Sequence, residues 1–147
     1  MSTPTNLFIN WSTVGYTPSG GSLASLNKVT SVKPSRNGQM EGFKGDVDQF
    51  FRVIAVPSQT RTIEVTTGDV KAALAIAIGS HGAFSAIFAD AINGTTVGGG
   101  GITIALTNCV VTGNTAQGEH AKFGEATITF EGYASDGITD PLTVTAL

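Results

Sequence analysis

His81 and His120 are the only histidines in the chain and Cys109 is its only thiol, so acid–base or nucleophilic chemistry at neutral pH has three side chains to draw on. A Cys–His pair would supply an activated thiolate, but none of the three stands in a catalytic sequence context. Zinc requires closely spaced ligand pairs, and these isolated residues provide none. Asp46 and Asp48 in GDVDQF, and Asp136 and Asp140 near the C-terminus, offer paired carboxylates. A calcium loop needs acids at alternate positions, a central glycine and a terminal glutamate, and GDVDQF holds only part of that set. The run Gly98–Gly101 is followed by Ile102-Thr103 rather than by the lysine that a phosphate-binding loop requires, which leaves it as a hairpin turn. The histidines therefore read as loop residues, Cys109 as a packed strand residue and the aspartates as turn formers. No catalytic, metal or cofactor site is expected.

Composition narrows the class further. The chain has 147 residues, 41% of them apolar and only 13% charged, about half the charged share of an ordinary soluble domain. That length fits one domain, residues 1–147, able to bury a core of its own. With so few charges, the outer surface falls to Ser, Thr, Gly and small apolar groups, which suits contact with other subunits. Residues 1–71 carry seven basic and five acidic groups, residues 72–147 one basic and six acidic, so the two halves differ in sign and attract when copies stack head to tail. The acidic balance and dispersed basic residues argue against tight binding of DNA or RNA. The N-terminus lacks the basic and apolar regions of a secretory leader, which leaves the sequons at Asn10 and Asn93 without meaning. No apolar run approaches the ~18 residues of a membrane span, and a lone cysteine forms no internal disulfide.

The elements follow from period-2 alternation and from turn residues. Residues 6–14 begin as a strand, residues 15–25 (GYTPSGGSLAS) read as a flexible loop, and KVTSVK (28–33) alternates until Pro34 and Asn37-Gly38 break it. Residues 38–49 read as a second flexible segment. FRVIAV (51–56), ended by Pro57, and TRTIEVTT (60–67) read as the two strands of a hairpin. DVKAALAIAI (69–78) is the one helix, capped by Asp69 and ended by Gly79, with Val70, Ala73, Leu74 and Ala77 as its apolar stripe. Strands at 82–91 and 102–111 follow, then GEATITFEGY (124–133), in which Ala126, Ile128 and Phe130 oppose Thr127, Thr129 and Glu131. TRTIEVTT shares that design, with Thr62, Glu64 and Thr66 opposite Ile63 and Val65. The whole reads as mainly β, a β-sandwich or partial barrel with one short α-helix. Its candidate core is Ile63, Val65, Leu74, Ile104, Ile128 and Phe130.

The segments TRTIEVTTGDVKAALAIAIG (60–79) and AKFGEATITFEGYASDGITDPLTV (121–144) resemble the bacteriophage tail tube protein family, whose fold also appears in related injection machines. The resemblance covers roughly residues 50–147. It implies a tail-tube-like fold and a homo-oligomer of hexameric rings stacked into a hollow tube. DNA passes through such a tube transiently and without specificity. It implies a place in the virion tail after assembly in the host cytoplasm, and partners such as terminator, tape-measure or sheath proteins. Thr62, Glu64, Thr66, Thr127, Thr129 and Glu131 would face the lumen, and the segments near 15–25 or 38–49 would reach a neighbouring ring. A capsid decoration protein or a fibre or adhesin β-sandwich fits the same composition and stands as the alternative, with a small hydrolase behind it.

Overall fold

The computed structural model describes residues 8–92, 95–96 and 102–146. Among the described residues nine strands and one short helix run in the order β1 (Phe8–Pro18), β2 (Ala24–Ser25), β3 (Val29–Phe43), β4 (Val53–Thr67), α1 (Val70–Leu74), β5 (His81–Ile92), β6 (Thr95–Thr96), β7 (Ile102–Gln117), β8 (Glu125–Gly132) and β9 (Leu142–Ala146). The chain is mainly β, as its alternation and its Thr, Val and Gly content require. The strands join in one open sheet in the order β2-β1-β5-β7-β8-β4-β3, with β6 on the end of β5 and β9 beside the first part of β7. Every pairing is antiparallel.

One sheet encloses the core because it curls. Tyr16 on β1 and Phe130 on β8 lie three strand spacings apart in the sheet order, about 14 Å if the sheet were flat. Their ring centroids are 5.3 Å apart, and Phe84 on β5 lies 4.9 Å from the same Phe130 ring. Around this aromatic knot Ile63, Val65, Leu106, Val111, Ile128 and Phe130 are fully buried, and Ile104 nearly so. The Tyr16 hydroxyl shares a 2.7 Å hydrogen bond with Ser80 Oγ, which satisfies the one polar atom of that ring, and burial pushes its pKa up.

Several expected boundaries move, each for a local reason. Residues 15–18 belong to β1 and 24–25 to β2, so the expected loop shrinks to the turn between them. Pro34 and Asn37-Gly38 do not break β3, which runs on to Phe43. As an edge strand it tolerates a residue without an N–H. Pro57 likewise does not end a strand: 51–56 and 60–67 are no hairpin, and Val53–Thr67 is one continuous β4. Pro57 sits where the β3–β4 register slips, between Gln39↔Ser58 and Glu41↔Ala55, and the bulge absorbs it. The second half of the true hairpin is β3, which takes in Gly38–Phe43 and leaves only the tip of the expected flexible segment 38–49 outside a strand. His81 is a strand residue of β5, not a loop residue.

The helix is shorter than its apolar stripe suggests. Asp69 caps it, accepting from the Ala72 N–H, and Thr67 Oγ1 buttresses that turn by donating to Asn27 O and accepting from the Asp69 N–H. It stops at Leu74 because Asn114 Nδ2 on β7 donates to both Ala73 O and Ile76 O, drawing the chain into a turn. That turn rotates Ile76 into the core beside Ala73 and leaves Leu74 outside, 53% exposed. Leu74 is thus not a core residue. No helix among the described residues is long and apolar enough to cross a membrane. The glycine run Gly98–Gly101 and the sequon at Asn93 lie outside the described residues.

Candidate functional site

Four strands, β7-β8-β4-β3, carry two unlike faces. Residues directly opposite in an antiparallel pair project to the same side, so the register alone assembles each face. One row reads Ser31–Thr66–Thr127–Thr115, the next Lys33–Glu64–Thr129–Gly113, and the third Ser35–Thr62–Glu131–Val110–His81, reaching β5. The opposite face reads Val32–Val65–Ile128–Asn114 and Pro34–Ile63–Phe130–Val111, and it lies on the core under α1. The sheet is therefore dry on one side and hydroxylated on the other across four strands.

All six residues singled out on the wet side of TRTIEVTT and GEATITFEGY fall on this one face and pair with each other: Thr62 with Glu131, Glu64 with Thr129, Thr66 with Thr127. The four threonines are half-buried by their neighbours while Glu64 and Glu131 are exposed. Thr66 Oγ1 and Thr127 Oγ1 lie 3.5 Å apart, and Thr112 Oγ1 donates to Thr129 O. The face holds Lys33 against Glu64, Glu125 and Glu131, a net charge of -2. Ser31 and Lys33 were legible as part of an alternating strand and Ser35, beyond Pro34, was not; nothing in the sequence tied any of them to this surface, and only register does. At its β5 end a shallow groove of ≈ 290 Å³ is lined by His81, Val110, Thr112, Glu131 and Tyr133.

Both lateral edges of this four-stranded layer are open. No strand among the described residues pairs with the outer side of β3, and β5 accompanies β7 only as far as Val110. Beyond the closing bonds from Gly79 N to Val111 O and from Val111 N to Ser80 O, the far half of β7 has no strand neighbour on that side among the described residues.

The nucleophile and ligand candidates do not converge. Among the described residues no three His, Cys, Asp or Glu side chains come together as a metal site. Cys109 is fully buried, and desolvation pushes its thiol up to about 12. Native protein is therefore expected to leave a disulfide reagent such as Ellman's unreacted at pH 8, releasing one equivalent only after denaturation. Rapid reaction of the native protein would contradict this burial.

The aspartate pairs make turns. Arg52 holds the Asp48 carboxyl below the usual carboxylate range, helped by the Gly45 N–H at 2.7 Å. Asp140 is also held low, by the Leu142 N–H and then by Arg61, whose Nε is 3.1 Å away. Asp136 accepts from the Thr139 hydroxyl and from the Thr139 and Ile138 N–H groups, which lowers its pKa to about 2. A depressed folded pKa contributes stability that is present above the unfolded value of 3.8 and lost as pH falls through about 2. The 136–140 turn is expected to hold at pH 4 and to open as the pH falls through about 2; amide shifts of Ile138 and Thr139 followed by NMR would register it. A midpoint near 4 would mean that these bonds do not form.

No protein-family model matches the chain, and no curated protein sequence does.

Proposed function

We propose that the chain is a structural protomer that closes side by side into rings and stacks into a hollow tube, the tail tube of a virion, through which DNA passes. The observation that carries this reading is the four-stranded hydroxylated face bounded by two open edges. Strand direction alternates along β7-β8-β4-β3, so the outer edge of β3 meets the far half of β7 on a second copy with antiparallel polarity. Repeating that contact continues the four-stranded layer and leaves that layer without an edge once it closes. The face that then lines the interior has many hydroxyls, a net negative charge and a single lysine, so it holds water and repels phosphate. Thr62, Glu64, Thr66, Thr127, Thr129 and Glu131 are its lumen-facing residues in this reading. Terminator, tape-measure and, in a contractile tail, sheath proteins are the partners that such a tube requires.

Negative-stain microscopy of concentrated purified protein tests the proposal directly, with rings or hollow tubes as the expected result. A monomer in sedimentation velocity across a hundred-fold range of concentration would overturn it.

A further inference from the structure

β8 accompanies β4 only from Arg61 to Thr67 and ends at Gly132. The chain then turns through 133–141 before β9, and an open cavity of ≈ 470 Å³ lies between that turn and β4. Arg61, Gln59, Thr139 and Asp140 line it. Gly132 lines it too, directly opposite Arg61, and a Cβ there would come within 2.9 Å of the Leu106 side chain and 3.0 Å of Pro141. Glycine at this point is what lets β4 and the returning chain stand so close. Arg61 lies on the same side of β4 as Ile63, so the cavity opens beyond the end of the core and not on the hydroxylated face.

Arg61 is held in place. Its side chain is only 14% exposed, and its Nε donates to Asp140 Oδ1 at 3.1 Å, one Nη to Thr60 O at 3.1 Å and the other to Gln59 Oε1 at 2.6 Å. A guanidinium carries five N–H groups, so two remain, one on each terminal nitrogen. Asp140 Oδ1 also accepts from the Leu142 N–H, whereas Asp140 Oδ2 and Gln59 Nε2 have no hydrogen-bond partner among the described residues. The charges around them do not balance. Arg36 on β3 stands directly opposite Arg61, a like-charged pair that repels, and it makes no ion pair among the described residues. Asp140 acts against both arginines: the Leu142 N–H first, then Arg61 and Arg36, hold its carboxyl low. Asp136 on the same turn spends its carboxyl on Ile138 and Thr139. Two guanidiniums and one carboxylate leave a charge of +1 here, in a chain whose net charge is -3.

Size and lining define what fits. A cavity of ≈ 470 Å³ is several times too large for a lone oxyanion and falls within the range of about 300–1,000 Å³ of small-molecule sites. The surplus positive charge and the free N–H on each Arg61 terminal nitrogen suit a carboxylate or a phosphate. The unused acceptor on Asp140 beside the unused donor on Gln59 suits groups that both donate and accept, as hydroxyls do. We propose that this cavity binds a monosaccharide bearing one anionic group, a carboxylate or a phosphate, with the anion between Arg36 and Arg61 and hydroxyls on Asp140 and Gln59. The site is complete within one copy and lies away from the hydroxylated face, so it goes beyond the tube reading and does not depend on it.

Saturation-transfer NMR, which observes the small molecule and works on the full chain whatever its assembly, tests this with glucuronate, glucose-6-phosphate, glucose and inorganic phosphate. At least one of the two charged sugars is expected to saturate with a Kd of about 1 mM or tighter, and which one does so separates carboxylate from phosphate. Glucose and inorganic phosphate are expected to bind at least about ten-fold more weakly. Arg36→Gln, on an exposed residue, should weaken the charged sugar about ten-fold with unchanged circular dichroism. Lys122→Gln removes the same charge from an exposed turn elsewhere and should leave the affinity as it was. Glucose binding as tightly as the charged sugars would overturn the anion subsite, and inorganic phosphate binding as tightly would overturn the sugar. Equal losses in the two variants would reduce the effect to overall charge and overturn the site. So would the absence of saturation by either charged sugar at about 10 mM, ten times the weakest Kd expected.

Discussion

Phe130→Ala is expected to lower the unfolding free energy by about 3–5 kcal/mol. Phe130 is fully buried and stands on β8, yet its ring touches Phe84 on β5 and Tyr16 on β1. It is the point at which the curled sheet meets itself. Removing the ring deletes two aromatic contacts, worth about 0.5–1.5 kcal/mol each beyond their area, and leaves a cavity that the surrounding strands cannot collapse into without uncurling. Leu74→Ala is the matched control. Leu74 is of comparable apolar character and lies in α1, but it is half exposed, and its truncation is expected to cost under about 1 kcal/mol. Urea unfolding of both variants decides the matter. Equal losses would mean that Leu74 is covered in the folded chain and that the curl is not organised around Phe130.

The contrast between these two residues shows where the sequence is informative. Strict alternation over GEATITFEGY and TRTIEVTT assigns Ile63, Val65, Ile128 and Phe130 to one side because a period of two admits only two sides, and all four are buried. The helix stripe is a weaker signal. A five-residue helix has barely one turn to define a face, and its end is set by Asn114, forty residues away in sequence, which takes the Ala73 and Ile76 carbonyls. Proline misled for a related reason. Its missing N–H is fatal inside a sheet but harmless on an edge or at a bulge, and Pro34 and Pro57 occupy one of each. Which strand lies at an edge is a property of the assembled order, not of any local window. The wet face was half legible: matching Thr/Glu patterns on two segments implied a common surface, but the pairing of Thr62 with Glu131, and the extension to Ser31, Lys33, Ser35 and Thr115, exist only in the register.

Reversing the charge of the wet face, Glu64→Lys together with Glu131→Lys, is expected to leave the protomer folded and to turn an inert surface into one that holds DNA. Both glutamates are exposed and neither touches the core. The folding penalty comes chiefly from a lysine at position 64 placed directly opposite Lys33, about 0.2–1 kcal/mol for a like-charged cross-strand pair. The electrostatic effect is far larger. Each copy's face passes from one positive and three negative groups to three positive and one negative, from -2 to +2, and the change repeats in every copy of a ring. Lysines that neutralise phosphates release counterions, so affinity for DNA rises steeply as salt falls, by roughly 0.9 logarithmic units per phosphate contact for each ten-fold dilution of salt. Purified unmodified assemblies are expected to show no retention of short duplex DNA at low salt. The doubly reversed ones should retain it, release it as salt is raised, and in an infectious particle slow or abort genome delivery. Single reversals should fall between. Should the double variant assemble, fail to bind DNA and deliver genomes at the normal rate, Glu64 and Glu131 do not face the path of the DNA, and the hydroxylated sheet is the outside of this protein.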